Sequence, residues 1–127
     1  MFDKILLDAP CSAEGRISLQ NEKSFGFWSE KNILKKSQLQ TELLQKFWAN
    51  LRSGGELVYS TCTLAPEENE MIIVNFLEKN VDAQILPISL SCKNEAWWKS
   101  NIANFSNNDF SSLNGFGIRI LPSEYME

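Results

Sequence analysis

Apolar positions come in short blocks separated by polar turns. Phe2, Ile5, Leu6 and Leu7 stop at Ala9-Pro10, which predicts a buried strand over residues 2–8. A polar, glycine-containing loop follows from Ser12 to about Gly26. Ser29 has the chemistry of an N-cap for a helix entering at Glu30. In that helix Leu39, Leu43, Phe47 and Leu51 recur every four positions, and Leu44 and Trp48 widen the stripe. Ser53-Gly54-Gly55 is expected to end it, as glycine after a helix does.

Residues 56–61 read as a second buried strand. Pro66 suits the first turn of a second helix, and Glu67, Glu68 and Glu70 suit its positive dipole end, needing no further role. That helix is expected to run to Lys79-Asn80 and to bury Ile73, Val74 and Leu77. A third strand is expected over 83–88 and a short last one from Gly117 to Leu121. Between them, Ser89 to Gly115 reads as a long polar loop with one helical turn. Strand–helix–strand–helix–strand order points to an α/β domain with right-handed βαβ units and a mostly parallel sheet flanked by helices. No Gly-x-Gly-x-x-Gly and no phosphate-binding loop occurs, so the chain reads as the second half of a nucleotide-binding-type fold.

At 127 residues, with 43% hydrophobic and 22% charged positions, the chain has the composition of one soluble domain. No apolar run approaches the roughly 18 residues of a membrane helix, and Met1-Phe2-Asp3-Lys4 leads into a strand without a signal peptide. The cytoplasm is the expected location. The net charge of −4 argues against tight nucleic-acid binding by this segment alone. Lys31, Lys35 and Lys36 read as a solvated helix face.

Candidate chemistry lies at the ends of the first two strands. Cys11 closes one run and Cys62 the other, so neighbouring parallel strands would bring both thiols and Asp8 to one carboxyl edge. The chain has no histidine, which removes Cys-His and Ser-His couples and histidine-ligated metals. Its three cysteines form no Cys-x-x-Cys pair, so no metal site is expected. A reactive thiolate would need activation from a helix N-terminus, a cation or the substrate. Cys92 has no motif around it, and Trp97-Trp98 are better explained by burial than by base stacking.

Asp8-Ala9-Pro10-Cys11-Ser12-x-x-Gly15 and Tyr59-Ser60-Thr61-Cys62-Thr63-Leu64-x-Pro66-Glu67-Glu68-Asn69-Glu70 together resemble the Sun-type (Nop2/Sun) RNA cytosine-C5 methyltransferases, in their bacterial ribosomal form. Trp28-Ser29, Gln40-x-x-Leu43-Leu44 and Gly54-Gly55 strengthen the resemblance. It implies a class I, Rossmann-like methyltransferase fold using S-adenosylmethionine, of which residues 1–127 would be the C-terminal half. The glycine-rich cofactor loop, the ribose-binding acid and a pocket lysine would lie in an N-terminal half absent here, and the isolated segment would be inactive. By the same resemblance Cys62 is the nucleophile and Cys11 assists product release. Asp8 binds the base edge close to the cofactor, and the backbone of Pro10 lines the base pocket. The implied substrate is RNA, ribosomal before transfer RNA. Ala13 departs from the motif, where glycine is more usual; this is tolerable unless the backbone there needs a positive φ. The other readings are a non-catalytic fragment of the same fold, an adenine-N6 methyltransferase and a thiol hydrolase. Cys11-Ser12 stand where the adenine enzyme needs a proline and an aromatic, and the hydrolase lacks its histidine.

Overall fold

The computed structural model describes residues 1–18 and 20–86, with the backbone of 102–104 and 118–120. The chain divides into two compact units, residues 1–79 and 80–127. In the first, strand β1 (Phe2–Asp8) leads through the polar loop to helix α1 (Glu30–Trp48), strand β2 (Leu51–Ser60), a 3-10 turn (Pro66–Glu68) and helix α2 (Glu70–Lys79). β1 and β2 pair in parallel, with Ile5 opposite Leu57, Leu7 opposite Tyr59 and Asp8 opposite Ser60. This is the expected α/β arrangement, a parallel pair flanked by helices.

The strands bury one face. Leu7 and Ala9 are buried, whereas Leu6 is 72% exposed and its partner Val58 is exposed as well. The expectation that Phe2 and Leu6 are buried with Ile5 and Leu7 is therefore corrected by pleat alternation, since α1 packs against the strand pair and successive side chains point to opposite faces.

Ser29 caps α1 as expected, its Oγ accepting from Asn32 N at 3.2 Å. The helix ends earlier than its stripe suggested. Leu51 opens β2, Leu39 is exposed, and the buried line runs through Ile33, Gln40 and Leu44. Gly54-Gly55 does not stop a helix; it forms a bulge within β2. Between the Phe2–Leu51 and Lys4–Glu56 pairs β1 advances two residues and β2 five, and Gly54 takes φ 74°. In α2 the fully buried apolar residues are Ile72 and Phe76, one turn apart; Ile73, Val74 and Leu77 are half-buried. Phe76 meets Trp48 of α1 edge to face, centroids 5.4 Å apart at 80°. Burying side chains such as Leu7, Leu44, Ile72 and Phe76 contributes roughly 1.5–3 kcal/mol each.

In the second unit residues 83–86 form no strand, so the described part of the expected third strand is absent; 87 and 88 lie outside the described residues. The short last strand is present as β4 (Ile118–Ile120), antiparallel to β3 (Ile102–Asn104), which lies within the stretch expected to be loop. Cys92, Trp97 and Trp98 lie outside the described residues.

Candidate active site

Where the strands end, the two motifs meet. Ser60 Oγ donates to Asp8 Oδ1 at 3.2 Å, and Ala9 N donates to Ser60 O at 2.8 Å, one step beyond the last ladder pair. Pro10 has no N–H, so the ladder stops and the chain turns. Cys11 Sγ then lies 3.1 Å from Cys62 Sγ, and Cys62 N donates to Cys11 Sγ at 3.4 Å. Both are free thiols, Cys62 exposed and Cys11 half-buried. The structure thus places Asp8, Cys11 and Cys62 on one rim. Pro10 is exposed there, and its carbonyl accepts from Gln40 Nε2 at 3.0 Å.

The Cys62 thiol is held above its ordinary pKa, first by its hydrogen bond with Cys11, then by desolvation and by the negative charge that Cys11 and Asp8 can carry. Its own backbone amide opposes them. Tyr59, largely buried beside Glu68 and Cys11, is pushed upward too and keeps its proton.

Motif residues that carry no reactive group bond to one another. Thr61 Oγ1 donates to Asn69 Oδ1 at 2.6 Å, and Asn69 Nδ2 donates to the carbonyls of Thr63 (3.2 Å) and Ala65 (2.9 Å), closing the turn after Cys62. Ser12 Oγ and Thr63 Oγ1 are 2.9 Å apart, joining the residues that follow the two cysteines. Thr63 Oγ1 also reaches Glu14 Oε2 at 3.3 Å, while Trp28 Nε1 donates to Glu14 Oε1 at 2.7 Å. Gly15 N donates to Cys62 O at 2.9 Å, and a Cβ on Gly15 would sit 2.7 Å from that oxygen, so only glycine allows the approach. Ala13 adopts φ 59°, ψ 36°, the left-handed conformation that glycine takes more readily.

One expectation is corrected here. Glu68 has a role beyond helix-dipole support; it is 0% exposed and accepts from Ser12 N at 3.0 Å and Gln40 Nε2 at 2.7 Å. Charge pattern alone gave no reason to separate it from Glu67. Glu67 and Glu70 stand in the same motif, so no signal in the sequence singled out Glu68.

Among the described residues, no three His, Cys, Asp or Glu side chains are grouped to hold a metal ion. No described helix is long and apolar enough to cross a membrane.

The chain is 45% identical over 84 residues to ribosomal RNA small subunit methyltransferase B of Escherichia coli O1:K1 / APEC, covering 66% of this chain and 19% of that protein. Proteins of the same description from Escherichia coli O45:K1 (strain S88 / ExPEC) and O157:H7 (strain EC4115 / EHEC) match with the same identity and coverage. The crystal structure of PH0851 is 40% identical with a TM-score of 0.59, over 72% of this chain and 20% of that one. The chain therefore spans about a fifth of the length of these relatives. A family profile described as 16S rRNA methyltransferase RsmB/F matches residues 1–125. With both cysteine motifs inside that match, the chain belongs to the RsmB/F family of 16S rRNA methyltransferases.

Proposed function

We propose that the protein carrying this chain methylates carbon 5 of a cytosine in small-subunit ribosomal RNA, with Cys62 as the attacking group. The observation that carries the reading is the exposed Cys62 thiol 3.1 Å from Cys11, on the rim that also holds Asp8. Carbon 5 of cytosine is a weak nucleophile. Addition of the Cys62 sulfur to carbon 6 makes the ring enamine-like, so covalent catalysis divides one hard step into easier ones. After carbon 5 has gained its methyl group, a base removes the carbon-5 proton and the sulfur–carbon-6 bond breaks, returning its electrons to Cys62. Cys11, in hydrogen-bond contact with that sulfur, would assist release.

Asp8 fits the remaining tasks of the pocket. It is exposed at the strand edge, and Ser60 fixes one of its oxygens. A carboxylate so held can accept from the exocyclic amine or a protonated ring nitrogen and offset charge during attack. Pro10, before Cys11, would flank the same base. S-adenosylmethionine, when bound, supplies the electrophilic methyl group, and Asp8 is the residue of this chain that would stand beside it. The raised Cys62 pKa means that proton removal needs help from a cation or from substrate, and an upstream pocket lysine would meet that need.

Residues 1–127 would then be the C-terminal half of a cytoplasmic catalytic domain, inactive alone and weak in cofactor binding. The test is methyl transfer from labelled S-adenosylmethionine to 16S rRNA by the intact protein. Cys62→Ala is expected to abolish incorporation and Cys11→Ala to slow it. Full activity of Cys62→Ala would overturn the assignment.

A further inference from the structure

We propose that Gln40 and Glu68 are positioning residues: a buried amide–carboxylate pair that grips the backbone on both sides of Cys11 and sets its distance from Cys62. Both side chains are 0% exposed. Gln40 lies on the buried line of α1, between Ile33 and Leu44, where an apolar residue would pack at no polar cost. The ion pairs among the described residues are Lys4–Glu56 and Arg52–Asp3, and neither reaches Glu68. The pair is instead satisfied by the Cys11 arm. Gln40 Nε2 donates to the carbonyl of Pro10 at 3.0 Å and to Glu68 Oε2 at 2.7 Å. Glu68 Oε2 and Oε1 accept from the amide of Ser12 at 3.0 and 3.3 Å. The residue before Cys11 and the residue after it are thus held by one buried unit.

The same unit is moored to the Cys62 arm. Tyr59, three residues before Cys62 on β2, donates its hydroxyl to Glu68 O at 2.7 Å, and burial holds that proton in place. Asn69, next to Glu68, fixes the turn after Cys62 through Thr61, Thr63 and Ala65. Both donor interactions of the Gln40 amide serve the grip, and its buried Oε1 has no hydrogen-bond partner among the described residues. A stability-optimised core would not tolerate that orphan acceptor; a site that must fix a geometry can. Only the consequence for turnover rests on the proposed methyl transfer: displacing a reacting group by about 1 Å can cost on the order of a hundredfold in rate.

The geometry can be read without any methylation. In a Cys92→Ser background, phenylarsine oxide bridges two adjacent thiols, forming two As–S bonds and releasing one water from its oxygen and the two thiol protons. Calorimetric titration of the 127-residue chain is expected to show one arsenical per chain, lost in Cys11→Ala and in Cys62→Ala. Glu68→Ala and Gln40→Ala are expected to weaken capture roughly tenfold or more. Glu68→Gln is expected to recover most of it, because one amide oxygen can still accept from Ser12 N and Gln40. Ile72→Ala, which truncates a buried apolar side chain of α2 that makes none of the hydrogen bonds of the grip, gives the control for lost stability and is expected to keep capture below its melting point. Wild-type capture by Gln40→Ala and Glu68→Ala would overturn the proposal, as would equal loss in Ile72→Ala at a matched melting temperature. Should Glu68→Ala fail to fold, Gln40→Ala, which leaves the Glu68–Ser12 bond in place, decides. If the intact protein fails to methylate cytosine while these variants still lose capture, the functional reading falls and the grip stands.

Discussion

At the amino end of the strand pair, polar side chains meet in water. Lys4 Nζ lies 2.8 Å from Glu56 Oε2 with both side chains exposed, Arg52 pairs with Asp3 in the same way, and the Gly54 bulge absorbs an irregular register. At the carboxyl end of the same strands, Ser12, Gln40, Thr63 and Glu68 are buried, and each is bonded to a group on or beside a cysteine arm. Exposed ion pairs add little to stability and specify little geometry. Buried polar groups are costly unless satisfied, and when satisfied they fix one arrangement. The chain concentrates its buried polarity where the two thiols must meet and leaves the other end adaptable.

The largest break in this contrast is expected from Gly15→Ala. A Cβ there would press on the Cys62 carbonyl from 2.7 Å, a backbone atom held by its own hydrogen bonding. The variant is expected to lose about 1–3 kcal/mol in urea unfolding. Lys4→Ala at the amino end should leave the midpoint where it is. Equal losses at the two ends would erase the distinction.

Ala13→Gly should act in the opposite direction. Alanine at φ 59° carries a penalty of about 1–2 kcal/mol that glycine avoids, and the greater freedom of unfolded glycine returns part of the gain. A net stabilisation of roughly 0.5–1 kcal/mol is expected by the same measurement. A loss of stability would mean that the left-handed turn beside Cys11 is not the folded conformation.

The legibility of the chain follows the same division. Both strands, the Ser29 cap and the meeting of Cys11 with Cys62 were readable, because strand blocks, cap chemistry and parallel pairing act locally or by simple topology. Gly54-Gly55 was ambiguous in principle: glycine ends helices and also forms bulges, and only pairing with β1 distinguishes them. The Leu39–Leu51 stripe misled because apolar residues recur at helical spacing beyond the true helix end, while the buried line passes through a glutamine. Glu68 could not be told from its acidic neighbours, since its partners Ser12 and Gln40 lie far away in sequence. Short strands such as β3 carry too few residues to show a period.

A smaller effect separates the two thiols. The hydrogen bond with Cys11 is the first cause of the raised Cys62 pKa, so alkylation of Cys62 by iodoacetamide should have its midpoint above the ordinary thiol value of 9.0. A raised pKa means less thiolate at a given pH, so the rate should still be climbing past that value. Cys11→Ala should move the midpoint down. Peptide mapping with pH-resolved labelling reads both, and an unchanged midpoint would show that the thiols do not sense each other.

The most direct measurement is to incubate the Cys11→Ala form of the intact protein with 16S rRNA and S-adenosylmethionine, digest the product, and map any cross-linked peptide by mass spectrometry. The expected product is a gel-shifted adduct in which a 5-methylated cytosine is bonded through carbon 6 to Cys62. An adduct that forms equally well in Cys62→Ala, or a cytosine methylated with no sulfur–carbon bond at any stage, would contradict it.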